Sequence, residues 1–363
     1  MKLFEFLVSP AECARRRGPE DRIVTSSRVR LARNLKDLPF PVWAKKPDRL
    51  RAMERIRPAV ESLPVMKDAY SESIDRLSSL EKQILVERHL ISREQAAKGP
   101  GSGLVLSRDE TISVMINEED HLRMQALLPG LQLKETWRIM DQFDTRLEEK
   151  LPFAFDRKLG YLTACPTNLG TGIRVSAMLH LPGLVLNENM GQIIQSVNKL
   201  GLAVRGLYGE GTEAFGNIFQ ISNQRTLGED ENRIVQRLEK VIGQVIEHEE
   251  NARATLLERK PKVVLNHIGR AYGILSNAHS ISSKETMNLL SLLRLGMDLG
   301  LFPGIERVLV DELFLLTQPG HLQLQSTDNL SAEDRDLRRA DMLRERLAGV
   351  KRPLDRPREG GPA

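Results

Sequence analysis

The chain has 363 residues, 40% of them hydrophobic and 28% charged, with a formal net charge of +4. That length supports a sizeable core and two domains, and the composition is ordinary for a globular protein. The modest positive excess suits an anionic ligand without choosing between a nucleotide, a nucleic acid and an acidic protein.

No apolar run is long enough to cross a bilayer. The N-terminal MKLFEFLVSP stretch makes a poor signal peptide, because it is short, contains Glu5 and is followed rather than led by its arginines. The 2 cysteines, Cys13 and Cys165, lie far apart and outside any metal-ligand spacing, which fits a reducing, cytoplasmic setting.

In chain order, 45–63 and 67–90 are predicted as helices, and Gly103–Leu106 as a strand. Thr111–Ile116 alternates polar and apolar residues, the pattern of a half-buried strand. Arg174–Leu181 reads as a further strand, and 187–199 as a helix. Segment 229–257 carries Ile234, Val235, Leu238, Val241, Ile242, Val245 and Ile246 at helical spacing. The texture changes near Lys260-Pro261, and from there to about 350 the chain reads as all-helical. Ser282 before Glu285 and Ser331 before Asp334 are helix-start patterns. The tail 351–363, rich in Pro, Gly and charge, is expected to be disordered. The predicted organisation is therefore 1–255, 256–350 and a tail.

Neither a phosphate-binding G-x-x-x-x-G-K-[ST] loop nor an H-R-D/D-F-G pair is present. Arginines offer another way to hold phosphate, since a guanidinium is permanently charged and matches phosphate oxygens with a planar fork. They occur in short strand-adjacent segments: Ser26-Ser27-Arg28-Val29-Arg30, then Arg123, Arg174 and Arg205. Arg28 and Arg30 share a strand face. Taken singly, each is a solvated surface charge; the case rests on their company. Asn117-Glu118-Glu119-Asp120-His121 follows a strand directly. Glu210 sits among glycines in Gly206-Leu207-Tyr208-Gly209-Glu210-Gly211, and Cys165–Gly172 is a small-residue loop before a strand. By themselves such carboxylates are surface decoration or helix-start charges, and such a loop is an ordinary connection.

Together, NEEDHLR at 117–123, CPTNLGTG at 165–172 and the arginines resemble the phosphagen (ATP:guanido) kinase family over roughly residues 20–255. The resemblance implies an α+β fold: an antiparallel sheet flanked by helices, followed here by an all-helical C-terminal domain. The SSRVRLARN segment starts at Ser26, without the small helical domain that precedes it in metabolic phosphagen kinases. The segments RGLYGEGTEAFGNIFQISNQ and Arg335-Asp336-Leu337-Arg338-Arg339-Ala340 are similar to those of the bacterial kinases of protein arginine, the second to their phosphoarginine-binding motif.

The resemblance implies ATP and Mg²⁺, with Glu119 as base, Glu210 as its partner and Cys165 beside the substrate guanidinium. Arg28, Arg30, Arg123, Arg174 and Arg205 would hold the phosphates, with nucleotide contacts spread over Ser26, Ser27 and Val29, over Val175, Ser176, Ala177 and Met178, and over Gly206, Leu207, Tyr208 and Gly209. His89 falls where the family has a nucleotide-contacting histidine. Arg335, Asp336 and Arg339 would read phosphoarginine. The implied partners are proteins with exposed arginines, an activator protein, a heat-shock repressor, the Clp protease and a second copy of the chain. No membrane and no direct nucleic-acid partner is implied. The rival readings are a kinase of free arginine or related guanidino compounds, and a non-catalytic phosphoarginine-binding regulator.

Overall fold

The computed structural model describes residues 17–206 and 214–356. The chain divides into two compact units. The first holds residues up to Met178 with Val197–Ala203 and Ile221–Ile242; the second holds Leu179–Ser196, Val204–Gln220 and the chain from Gly243 onward.

An eight-stranded sheet organises the first unit, in the order β2-β3-β4-β5-β1-β8-β10-β9. Its members are β1 (Val24–Arg33), β2 (Tyr70–Ser73), β3 (Gly103–Leu106), β4 (Ile112–Ile116), β5 (Leu122–Pro129), β8 (Ile173–His180), β9 (Leu202–Gly206) and β10 (Ile218–Asn223), with β6 (Phe155–Asp156) and β7 (Gly160–Tyr161) as a separate hairpin. The pairs β2–β3, β3–β4, β4–β5 and β5–β1 are antiparallel, so an α+β antiparallel architecture is what the chain adopts. Helices α1 (Lys46–Glu61), α2 (Ser79–Glu87), α3 (Arg93–Ala96) and α4 (Leu133–Glu148) fill the connections.

Two local expectations are corrected. Segment 67–90 is not one helix. Asp68 takes a left-handed φ of 62°, Tyr70–Ser73 leaves to pair with β3, and α2 starts only after Ser78, its N-cap, whose Oγ accepts the Glu81 N–H in a capping box. Nor is β4 half-buried: every residue of Ile112–Ile116 is buried, because β4 lies between β3 and β5 with α1 against it. Ser113 is tolerated there by donating its hydroxyl to the Leu90 carbonyl at 2.5 Å.

Strand β1 is the spine. Ser27, Val29 and Leu31 turn to the face covered by α4, where Ser27 Oγ donates to Gly130 O and accepts from the Gln132 N–H, both at 2.8 Å. At the end of the strand Arg33, 1% exposed, donates Nε and Nη2 to Asp144 of α4 and Nη1 to the carbonyls of Ala32 and Thr171. Its guanidinium lies 3.5 Å over the Tyr161 ring.

The second unit is built on α7 (Glu231–Arg259), which enters it at Gly243, with α5 (Pro182–Leu186), α6 (Met190–Lys199) as far as Ser196, α8 (Pro261–Asn277), α9 (Ser283–Asp298), α10 (Arg307–Leu316), α11 (Pro319–Leu324) and α12 (Ala332–Leu347). Leu290, Leu293, Val310, Leu313 and Leu343 are fully buried in its core. Gly296 is needed where α8 and α9 meet, since a Cβ there would fall 2.6 Å from the Phe302 ring. Glu249 accepts the Gly183 and Leu184 N–H groups at the start of α5 and pairs with buried Arg253, which reaches Asp298. Ser282 and Ser331 cap α9 and α12 through Glu285 and Asp334, as their spacing predicts. Residue 354 of the tail is tied by its N–H to Leu301 O, and 357–363 lie outside the described residues. No described helix is long and apolar enough to cross a membrane.

Replacing Arg33 by Ala leaves Asp144 as a buried carboxylate without its partner. The expected loss is about 3–5 kcal/mol of stability, checked by urea denaturation followed through the fluorescence of Trp137 on α4.

Candidate active site

The pleat of β1 sends Ser26, Arg28 and Arg30 to the face opposite the one covered by α4. Arg123 of β5 lies across from Ala32, and Gln125 across from Arg30, so both share that face. From β8, beside β1 in the sheet, comes Arg174, whose Nη1 donates to Asn223 O at 3.0 Å. Ser176 and Met178 follow Arg174 on its face, while Val175 and Ala177 alternate away into the core at 0% and 1% exposure.

These arginines are half-buried and repel one another. Burial, then Arg123, lowers Arg28 to about 10. Burial, then Arg28, Arg123 and Arg174, lowers Arg30 well below its ordinary value, and Glu118 only partly offsets the push. His89 joins the group with a left-handed φ of 60°. Burial and then Arg28 take its imidazole down to about 4, so it is neutral at neutral pH. Its carbonyl accepts from Gln125 Nε2 at 2.7 Å.

The acidic turn follows β4. Asn117 adopts φ 55° and donates Nδ2 to the carbonyls of Arg49 and Gly101, at 2.8 and 2.6 Å. Glu118 is 1% exposed and accepts from Arg123 Nη1 at 2.5 Å and Ser92 Oγ at 2.6 Å. Burial alone would raise its carboxyl, but Arg123 and the hydrogen bonds it accepts hold it below its ordinary range. Asp120 is buried and accepts from Asn34 Nδ2 at 2.5 Å and from the Ala164 N–H at 2.7 Å. His121 is buried, lowered to about 4 by burial, and accepts the Leu35 N–H on Nδ1. Within 117–121, Glu119 alone is not buried. Burial, then the charges of Asp120 and Glu118, push its carboxyl up against the pull of Arg123. That is the profile of a proton acceptor poised nearer neutrality than an ordinary glutamate.

The Asp120–Ala164 bond brings the Cys165 loop to this turn, and Asn34 Nδ2 also donates to Leu162 O. Cys165 is partly exposed, a free thiol with Sγ 3.0 Å from Thr167 Oγ1. The glycines that follow serve backbone approach. At Gly170, with φ +107°, a Cβ would sit 2.4 Å from Thr226 O; at Gly172 one would sit 2.7 Å from Ala32 O. Thr226 Oγ1 closes the loop by donating to Thr167 O and Leu169 O.

The structure therefore gathers Arg28, Arg30, His89, Arg123, Arg174, Glu119 and Cys165 in the first unit. Ser27 and Val29 pack on the opposite face of β1. Arg205 lies in the second unit, exposed near the end of β9, with half-buried Gly206 after it. Leu207, Tyr208, Gly209 and Glu210 lie outside the described residues. On α12, Arg335 Nη1 donates to Leu330 O, and Asp336 pairs with Arg339 at 2.5 Å. Arg339, 1% exposed, also donates Nε to Thr317 O and Nη1 to Ile281 O, both at 2.8 Å. Sequence reasoning missed Asn34, Ser92 and the structural parts of Glu118 and Asp120. The signal lay in NEEDHLR, where a carboxylate and an arginine flank a tight turn between paired strands.

The family model for ATP:guanido phosphotransferases, C-terminal catalytic domain, matches residues 51–252. The model for the protein-arginine kinase McsB C-terminal domain matches 261–358. The chain belongs to the protein-arginine kinase branch of the ATP:guanido phosphotransferase family. The protein-arginine kinase of Symbiobacterium thermophilum is 48% identical over 334 residues, covering 91% of this chain and 95% of that one. That of Bacillus subtilis is 45% identical over 335 residues, covering 92% of each. Among solved structures, a lombricine kinase aligns with a TM-score of 0.57 at 24% identity, over 68% of this chain and 72% of that one, a likeness of fold alone.

The cationic face and the neutral imidazole are coupled, which gives a direct check. In Arg28→Gln, His89 is expected to titrate above its present value of about 4 yet below 6.5, because burial remains. NMR of the imidazole resonances, assigned with a His89→Gln variant, measures it.

Proposed function

We propose that the protein transfers the γ-phosphoryl group of ATP to arginine side chains of other proteins. The observation that carries this reading is the Arg123–Glu118 pair, which joins a crowded face of half-buried guanidinium groups to the turn bearing Glu119. The cationic face suits a polyphosphate, and the turn suits the substrate guanidinium.

A guanidinium is a weak nucleophile because its lone pairs are delocalised and it is protonated. In the proposed step a terminal nitrogen gives a proton to Glu119 as it bonds to the γ-phosphorus. The bond from that phosphorus to the β,γ-bridging oxygen breaks, and its electron pair leaves with ADP. Arg28, Arg30, Arg123 and Arg174 hold the oxygens of the nucleotide, with Arg205 completing the set. Positioning and charge neutralisation supply most of phosphoryl-transfer catalysis. Glu210 serves as the second carboxylate for the guanidinium, and Cys165, whose loop is fastened to the turn of Glu119, contacts that group. Mg²⁺ arrives on the nucleotide, keeping most of its water ligands. Bound there, the ion would neutralise phosphate charge.

In the same reading the division near 255 separates catalysis from a helical region that dimerises. Arg335, Asp336 and Arg339 form a second site for phosphoarginine, through which product regulates the kinase. The setting is cytoplasmic; an activator protein, a heat-shock repressor and a Clp protease that degrades the marked proteins are its partners.

The test is mass spectrometry, under non-acidic handling, of an arginine-rich protein incubated with the enzyme and MgATP. Phosphoarginine on the protein is expected, and labelling of free arginine alone would defeat the reading. Glu119→Gln is expected to lower the transfer rate on the order of 10²–10⁴-fold while nucleotide binding persists. A pH profile adds a second check. Asp120 raises the Glu119 carboxyl, so Asp120→Asn, which removes a negative neighbour, favours the ionised base. The acid limb of kcat/KM should move to lower pH; a shift upward would remove Glu119 from the role of base.

A further inference from the structure

Two turns beside the acidic node carry large apolar side chains that face solvent. Among the described residues the large exposed apolar side chains include two aromatics, Trp43 at 83% and Phe155 at 57% exposure, accompanied by Val42 at 62% and Leu159 at 44%. Isolated exposed leucines and valines need no explanation, but an exposed tryptophan at a turn does.

Both turns meet the node in which Asn34-Leu35 grips the catalytic turn through Asp120 and His121, the first at His121 and the second at Asn34-Leu35. From the first, Phe40 stacks edge-on against His121 at 6.2 Å, and its carbonyl accepts the Trp43 and Ala44 N–H groups at 2.8 and 2.9 Å. From the second, Leu35 bridges Phe153, Ala154 N–H donates to Asn34 O at 2.7 Å, and Phe155 pairs with Tyr161 in the β6–β7 hairpin. Exposed cations accompany each aromatic: Lys45 and Lys46 beside Trp43, Arg157 and Lys158 beside Phe155. The nearby acids are partly committed, Asp37 to Arg55, Asp48 to Arg51, and Asp156 to its own turn through the Lys158 and Leu159 N–H groups.

From this placement we infer that the 41–43 turn and the β6–β7 hairpin dock the polypeptide flanking the target arginine, and that they favour apolar and acidic flanking residues. The inference rests on the proposed protein-arginine kinase activity and adds the substrate class that site takes. The first turn packs on the node carrying Glu119 and Cys165 through Phe40 and His121, and the second is hydrogen-bonded to it through Asn34, so a chain presenting its arginine there passes along them. Tryptophan supplies large contact area with little rotamer freedom to lose, and the cations complement acidic flanks.

The test uses the full chain with Trp137→Phe, leaving Trp43 as its tryptophan. The probes are three: a peptide with apolar and acidic residues around one arginine, the same peptide with lysine in place of arginine, and an arginine blocked at both ends. Both peptides should shift Trp43 emission to the blue and shield it from iodide. In an otherwise unaltered chain, Trp43→Ala with Phe155→Ala should lower kcat/KM for the arginine peptide about tenfold and leave the blocked arginine unchanged. Trp43 remaining solvent-exposed at saturating peptide, or equal losses on peptide and blocked arginine, would overturn the inference and leave the kinase reading intact. Shielding of Trp43 by peptides that are never phosphorylated would support the docking surface and defeat the kinase reading.

Discussion

The repulsion among Arg28, Arg30, Arg123 and Arg174 is the constraint around which the first unit is organised. Like charges partly withdrawn from water interact strongly, since the screening that silences surface arginines is reduced. Glu118 offsets only part of this. A sheet face that holds such a group is most stable when an anion with several oxygens lies on it, and the fold secures the face from behind. Strand β1 is paired on both sides and covered by α4, so the guanidinium groups cannot relax by moving the backbone. His89 belongs to the same balance: kept neutral by burial and Arg28, it adds no fifth positive charge and can accept or donate one hydrogen bond.

The acidic turn is held with the same rigidity by different means. Its buried carboxylates have fixed partners, Glu118 with Arg123 and Ser92, and Asp120 with Asn34 and the Ala164 N–H. Those partners leave Glu119 as the member of the turn available for chemistry, and burial, then the charges of Asp120 and Glu118, raise its proton affinity. Scaffold and tuning are one feature. Asp120 fastens the Cys165 loop and perturbs Glu119 at once, so its geometric and electrostatic effects separate only in a substitution that keeps the hydrogen-bond acceptor.

Much of this was legible in the residues. The alternation of Arg28 and Arg30, the strand before NEEDHLR and the caps at Ser282 and Ser331 follow from local rules that the tertiary structure obeys. The failures have tertiary causes. Segment 67–90 contains a strand because Tyr70–Ser73 finds β3 as a partner, which no helical period reports. Ser113 looked like the polar side of β4, yet a carbonyl from Leu90 satisfies it in the interior. The glycines at 170 and 172 read only as part of an ordinary small-residue connection, and what fixes them is tertiary: the space they leave is taken by Thr226 and Ala32 of the same chain. Arg33 sits three residues after Arg30 and is chemically identical to it; only its partner Asp144, 111 residues away, makes it structural.

The same distinction bears on α12, where one motif divides into two kinds of arginine. Arg339 is fully buried, and its donors go to Thr317 O, Ile281 O and Asp336. Removing it would strip two backbone carbonyls of their partner, so loss of a ligand response in such a variant would not distinguish recognition from folding. Arg335, half-buried, donates Nη1 to the nearby Leu330 carbonyl, and the carboxylate of Asp336 is already engaged with Arg339. On the proposed reading, a phosphoarginine guanidinium at Asp336 competes with Arg339. The competition is felt at Ile281, which donates its N–H to Asp336 O and receives Arg339 at its carbonyl. Ile281 immediately precedes the Ser282 cap of α9, so a ligand that drew Asp336 away from Arg339 would act on the start of that helix.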